Sequence, residues 1–322
     1  MRWAGLGVAV VATAVVALFV GPADLPPAAV WRGLTGDADP TVTAIVRDLR
    51  LPRVLLAFLV GGTLAACGAV LQALVRNPLA DPYLLGLSGG AGLGAVLAIA
   101  LGLGGAWSVP LVALLGAVIA VIIVYRLAIV AGNVLDTRVL LLAGVVVGAF
   151  GIALMGAVMA LSPAAEIRNT LLWILGSFSG ASWQSVSVFG VYAVAPLGVL
   201  FLLNRSIDLL SLGEEPAQFL GADVEALKRL LYGMASALTA ASVAVSGIIG
   251  FVGLVVPHGI RLAWGHTHRT LLPAAFLLGG VLMVLADAVA RSAFAPLELP
   301  VGVVTALIGV PAFLFLVRRW TS

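Results

Sequence analysis

Residues 139–165 read VLLLAGVVVGAFGIALMGAVMALSPAA, without one Asp, Glu, Lys or Arg. Residues 230–260 and 299–317 are equally free of these charges. A soluble surface needs charge every turn or two, so such runs have no soluble home. They are long enough to cross a bilayer, which takes about 20 apolar residues per helix. Unbroken apolar runs, rather than alternating strands of about ten residues, argue against a β-barrel. The chain therefore reads as an all-α polytopic membrane protein.

Composition agrees. Hydrophobic residues make up 62% of the chain and charged residues 10%, with a mean hydropathy of +1.19, whereas soluble chains carry about 25% charge. Thirty-eight glycines suit helices that approach closely in lipid. The net charge of +3 sits at the ends of apolar runs, so it sets topology rather than attracting nucleic acid. The single Cys67 excludes an intrachain disulfide and any CxxC metal site. The first apolar run, Trp3–Val20, exceeds a signal-peptide core of about 7–15 residues, so it is expected as a retained helix.

Apolar runs and their punctuation give about ten expected membrane segments: 3–21, 53–75, 84–104, 108–131, 139–162, 187–203, 230–249, 252–263, 271–293 and 301–317. The eighth contains Pro257 and is too short to span alone; such pieces persist only where protein or water covers the backbone. An even count puts both termini on one side. If that side is cytoplasmic, eleven Lys and Arg lie inside and six outside, the direction the positive-inside rule requires. Residues 1–322 are expected to form one transmembrane domain. Segments 22–52 and 164–186 then lie outside, the first read as irregular because of its prolines. The longest inner loop is 204–229. Within it, Glu214–Leu220 and Asp223–Arg229 read as short helices parted by Gly221, with Asp223 as an N-cap.

Familiar enzyme chemistry is missing from the sequence. The only lysine, Lys228, is not in a GxxxxGK[ST] loop, so ATP is not bound that way. His266 and His268 lie two apart, where helical side chains diverge, and no HExxH pattern is present. His258 has no ligand partner in sequence and reads as a hydrogen-bonded structural residue. No GxSxG element supplies a serine nucleophile. No catalytic residue, metal site or cofactor is expected.

Four blocks carry more. They are Leu49-Arg50-Leu51-Pro52-Arg53; Gln72 with Arg76-Asn77-Pro78-Leu79-Ala80-Asp81-Pro82 and the glycine-rich 85–94; Gly250-Phe251-Val252-Gly253-Leu254-Val255-Val256-Pro257-His258 with Arg261; and Ala286-Asp287 with Arg291, followed by Leu299-Pro300-Val301-Gly302 and Gly309-Val310-Pro311. In this order, over residues 45–318, they resemble the FecCD-type permeases, the membrane subunits of ABC importers for cobalamin, ferric siderophores and haem. The resemblance implies a type II ABC importer permease architecture in a bacterial cytoplasmic membrane. It implies a homodimer with the pathway between the copies, a separate ABC ATPase pair inside and a periplasmic or lipid-anchored substrate-binding protein outside. Iron chelates are the commonest cargo it implies. One departure is Thr267-His268-Arg269, where family members often carry Asp-His-Arg.

Carried over residue by residue, the resemblance assigns Leu212, Gly213, Glu214, Ala217, Leu220 and Gly221 to ATPase contact; a solvated loop is the alternative. It assigns Arg50, Arg53 and Arg291 to docking of the binding protein, where a planar guanidinium suits carboxylates. The alternative is local pairing with Asp48, Asp287 or Glu298. It places Asn133 and Thr137 near an inner gate, and Gly144, Gly148 and Gly151 on a channel-lining helix; those glycines equally suit tight helix packing. An ion-gradient transporter is the competing class, disfavoured because no ionisable residue lies at mid-helix except Asp287, nearer an end.

Overall fold

A computed structural model describes residues 2–103, 106–130 and 134–321. Its helices, in order, are α1 (Arg2–Phe19), α2 (Pro27–Thr35), α3 (Pro40–Ala44), α4 (Leu51–Val75), α5 (Leu87–Ala100), α6 (Ser108–Ala128), α7 (Thr137–Leu161), α8 (Ala164–Ile174), α9 (Trp183–Leu202), α10 (Asn204–Ser211), α11 (Glu214–Phe219), α12 (Val224–Ser246), α13 (Val252–Trp264), α14 (His268–Ser292) and α15 (Val301–Thr321). A two-residue hairpin, β1 (Ile129–Val130) with β2 (Val134–Leu135), joins α6 to α7. Each of the ten expected segments coincides with a helix. Among the described residues, six helices are both long and apolar enough to cross a membrane.

Helix α4 is the axis of the molecule. It packs against α14, α12, α13 and α9, and 83% of its apolar window is buried. Close approach makes this possible: a Cβ on Gly68 would lie 1.9 Å from the Gly253 carbonyl oxygen of α13. By contrast, only 22% of the corresponding windows of α6 and α7 is buried, leaving Leu115, Ile119, Val146 and Phe150 exposed.

Three local expectations change. The 22–52 segment is largely helical rather than irregular. Pro27 and Pro40 occupy first-turn positions, where a missing N–H costs nothing. The chain from Pro40 through a π-helical turn at Ile45–Arg50 runs into α4 as one helix of 36 residues. Asp223 does cap a helix, its carboxylate accepting from Ala226 N at 3.0 Å, but that helix is the whole of α12 rather than a short piece. Helix α10, which the sequence reading missed, precedes the expected Glu214 helix.

The eighth segment is a single short helix, the 13-residue α13 with Pro257 inside it; the seventh ends three residues earlier than expected, and Gly247–Phe251 between the two is non-helical. Its backbone is covered from inside. Ser246 O accepts from Ser177 N at 2.8 Å, and Ile249 N donates to Tyr83 Oη at 3.1 Å. Internal partners of this kind are what non-helical backbone at membrane depth requires.

Candidate functional sites at the two ends of the bundle

At one end lie the C-terminus of α1, the N-terminus of α4 and the C-terminus of α14. The last carbonyls of any helix lack intrahelical donors. Here arginines satisfy those of α1. Arg50 donates to Leu18 O at 2.7 Å and to Ala23 O, just beyond the helix, at 2.6 Å. Arg291 Nη2 donates to Ala17 O at 2.6 Å. Both side chains are buried. Arg53 grips Asp287, its Nε and Nη2 donating at 2.9–3.1 Å. Its Nη1 and Nη2 also form a bidentate fork with Glu298 at 3.1 and 2.9 Å. Asp287 is almost wholly buried and also lies 3.5 Å from Arg291 Nε.

In the isolated chain Arg53 and Arg291 pair locally with Asp287, and Arg53 also with Glu298, whereas Arg50 bonds only main-chain carbonyls. Arg50 and Arg291 have their guanidinium groups bonded to main-chain carbonyls at the end of α1 and just beyond it. A cleft of about 400 Å³ is lined by Arg50, Arg53, Arg291 and Glu298 together with Pro22, Leu49 and Phe178, and of the three arginines Arg53 is the most exposed, its side chain at 11%. Asp48 takes no part in this network. These arginines cap a helix and neutralise a buried carboxylate.

At the other end, α10 and α11 stand between α9 and α12. Gly213, at φ +126°, makes the turn between them. Helix α11 has an inward and an outward face. Ala217 and Gly213 are buried, while Leu212, Leu220 and Gly221 are exposed. Phe219 is 83% exposed, and sequence reasoning missed it; the signal was an aromatic residue in an otherwise polar inner loop. In the isolated chain Gly213 and Ala217 thus pack against the rest of the fold.

Glu214 turns inward as well. Lys228 Nζ, 1% exposed, lies 3.0 Å from Glu214 and 2.6 Å from Glu225 and donates to Leu135 O at 2.6 Å. Glu225 in turn accepts from Leu135 N at 2.8 Å. One buried ammonium thus ties α11 and α12 to the hairpin leading into α7. Sequence reasoning noted Lys228 only as the sole lysine. Asp136 caps α7, accepting from the backbone N–H groups of Val139 and Arg138, which hold its carboxyl below the ordinary range. Thr137 opens α7, and Asn133 lies outside the described residues.

The α7 glycines face protein rather than an open pathway. A Cβ on Gly144 would lie 2.0 Å from Leu84 O, and one on Gly151 2.6 Å from the Gly89 carbonyl carbon. Gly148 sits between them, its own oxygen against Gly89. Of the two readings the sequence allowed, tight helix packing is the one the geometry gives. The opposite face of α7 presents Leu142, Val145, Val146 and Phe150, all exposed. Among the described residues, no cluster of three or more His, Cys, Asp or Glu could hold a metal ion.

Comparison with known proteins places this geometry in context. The sequence model of the FecCD transport family matches residues 9–319. The cobalamin import system permease protein BtuC of Halobacterium salinarum is 45% identical over 281 residues, covering 86% of this chain and 74% of that protein. The vitamin B12 import system permease protein BtuC of Klebsiella pneumoniae is 39% identical over 324 residues, covering 99% and 94%. A solved structure described as an inward-facing metal-chelate type ABC transporter superposes with a TM-score of 0.87 at 32% identity, covering 98% of both chains.

Proposed function

This chain belongs to the FecCD transport family and is an ABC importer permease, and on that premise we propose that it carries cobalamin, or a metal chelate of similar bulk, inward across the cytoplasmic membrane. It is a non-catalytic membrane subunit. Hydrolysis of ATP belongs to a separate ATPase pair docked on the 204–229 loop, and a binding protein delivers cargo at the opposite end. Both termini then lie in the cytoplasm. Two copies enclose the pathway, and the exposed apolar face of α7 supports that arrangement because the glycine face is already packed.

One observation carries the coupling assignment. Helix α11 displays Leu212, Phe219 and Leu220 outward while Lys228 fastens its base to α12 and the hairpin. A short helix held at its base moves as a body, so force applied to its apolar side reaches the start of α7. At the other end, Arg53 is the arginine offered for docking. A carboxylate on the binding protein would displace Glu298 from its fork, while Arg50 and Arg291 hold the three helices beneath. Cobalamin is preferred to iron chelates as cargo because two relatives of 39–45% identity are named for it.

The test is uptake into proteoliposomes containing the chain and its ATPase, with binding protein and cobalamin, ferric siderophore or haem supplied outside. ATP-dependent accumulation of cobalamin is the expected result. Accumulation driven by a proton or sodium gradient without the ATPase would replace the importer reading with that of a secondary transporter.

A further inference from the structure

A second polar cleft, of about 390 Å³, opens beside α4, α13 and α14 at the end that carries the 204–229 loop. Gln72, Arg76, His258, Arg261, His266 and His268 line it, and no Asp or Glu does. Arg261 is held in place: Gln72 Nε2 donates to the Gly253 and Leu254 carbonyls at 3.2 and 3.3 Å. That orients the Gln72 Oε1 toward the Arg261 guanidinium, which donates to it. Among the described residues neither Arg261 nor Arg76 makes an ion pair. A partly buried guanidinium with only neutral acceptors has lost water without gaining a counter-charge. His268 adds a second unmet need. Its Nδ1 lies 2.6 Å from Asp208, but its Nε2 is buried without a hydrogen-bond partner, and the residue is 3% exposed.

The depth of the cleft narrows the ligand. Trp264 closes α13 three residues after Arg261 and meets Trp3 edge-on, with ring centroids 4.9 Å apart. Tryptophans of this kind mark the membrane–water boundary. Leu262, beside Arg261, is 50% exposed, apolar surface at the mouth of a cationic cleft. Basic pockets between helices at this level suit lipid phosphates.

We propose that this cleft binds a phosphate group, held between Arg261 and Arg76, and that its source is the headgroup of an anionic phospholipid. The phosphate contacts use none of the residues assigned to coupling or docking, although Arg76 lies against Gly213 of the 204–229 loop.

The purified full chain would be examined by native mass spectrometry with phosphatidylglycerol and, separately, phosphatidylcholine, and by thermal shift with inorganic phosphate. Phosphatidylglycerol is expected to be retained in preference, and Arg76→Gln and Arg261→Gln each to weaken that retention about tenfold, the loss of one charge-assisted contact. Arg126→Gln, an exposed cation on α6, serves as the control and leaves retention unchanged. Because loss of the partly buried Arg261 can also unfold the chain, Arg76→Gln, at an exposed residue, carries the test by itself. Stabilisation by inorganic phosphate that Arg76→Gln abolishes, without lipid selectivity, would keep the phosphate site and assign it a soluble source. Equal retention of both lipids with no response to inorganic phosphate, or Arg76→Gln binding like the parent, overturns the proposal.

Discussion

Lys228 Nζ lies 3.0 Å from Glu214 and is only 1% exposed, so α11 is anchored through a buried cation rather than by surface contacts. Both of its carboxylate partners keep some access to water, at 35% and 24% exposed. Replacing Lys228 by Met strands neither completely. The expected cost is about 1–3 kcal/mol of stability, read as a lower melting temperature. Transport should fall further than stability, because α11 then moves without pulling the hairpin. ATPase that still co-purifies but no longer drives uptake would be the signature; parallel uptake and ATPase in Lys228→Met would remove Lys228 from the coupling route.

Arg53 and Asp287 test the opposite end. Asp287 is 1% exposed, so Arg53→Met leaves a buried carboxylate with only a 3.5 Å contact to Arg291. The expected loss is about 3 kcal/mol. Arg53→Met combined with Asp287→Leu should recover much of it, and a double-mutant cycle measures the coupling.

Glu298 is 30% exposed, and a partly exposed ion pair contributes about 0–1 kcal/mol. Glu298→Gln should therefore leave folding nearly unchanged while freeing the Arg53 fork. If Arg53 docks the binding protein, that variant binds it more tightly than the parent does. Unchanged or weaker binding, measured by surface plasmon resonance, would move the docking site elsewhere.

The α7 glycines offer a graded series. Gly144→Ala drives a Cβ toward the Leu84 carbonyl, where backbone on both sides cannot yield, and should cost at least about 1–3 kcal/mol. Gly156→Ala meets nothing within 4 Å and should be neutral or slightly stabilising, by up to about 1 kcal/mol. Melting curves separate the two. Were Gly144 on an open pathway, its substitution would change transport and leave the melting temperature alone.

Phe219→Ser removes exposed apolar surface from α11 and should shift stability by no more than about 0.5 kcal/mol. Retention of the ATPase on affinity-tagged permease should fall sharply. Full retention would show that the partner sits elsewhere.

Much of this was legible along the chain. The membrane class, the ten helical segments and the shortness of the helix around Pro257 follow from apolar runs and their punctuation, because lipid forces every backbone group to be satisfied within the protein. The 22–52 segment was misread because a proline at a helix start and one in a turn look alike in sequence; only the residues around Pro27 and Pro40 distinguish them.

What one dimension could not give is which face each residue presents. The sequence by itself determined that Arg50, Arg53 and Arg291 lie at one end of the bundle, that Gly144, Gly148 and Gly151 share a helix, and that Lys228 is alone of its kind. Tertiary structure alone decided that two of those arginines cap α1, that the glycines meet α5 and the turn before it, and that Lys228 joins three elements. The reason is physical: a buried charge is stabilised by partners within about 4 Å, and those partners lie as far as 274 positions away along the chain, as for Arg291 and Ala17.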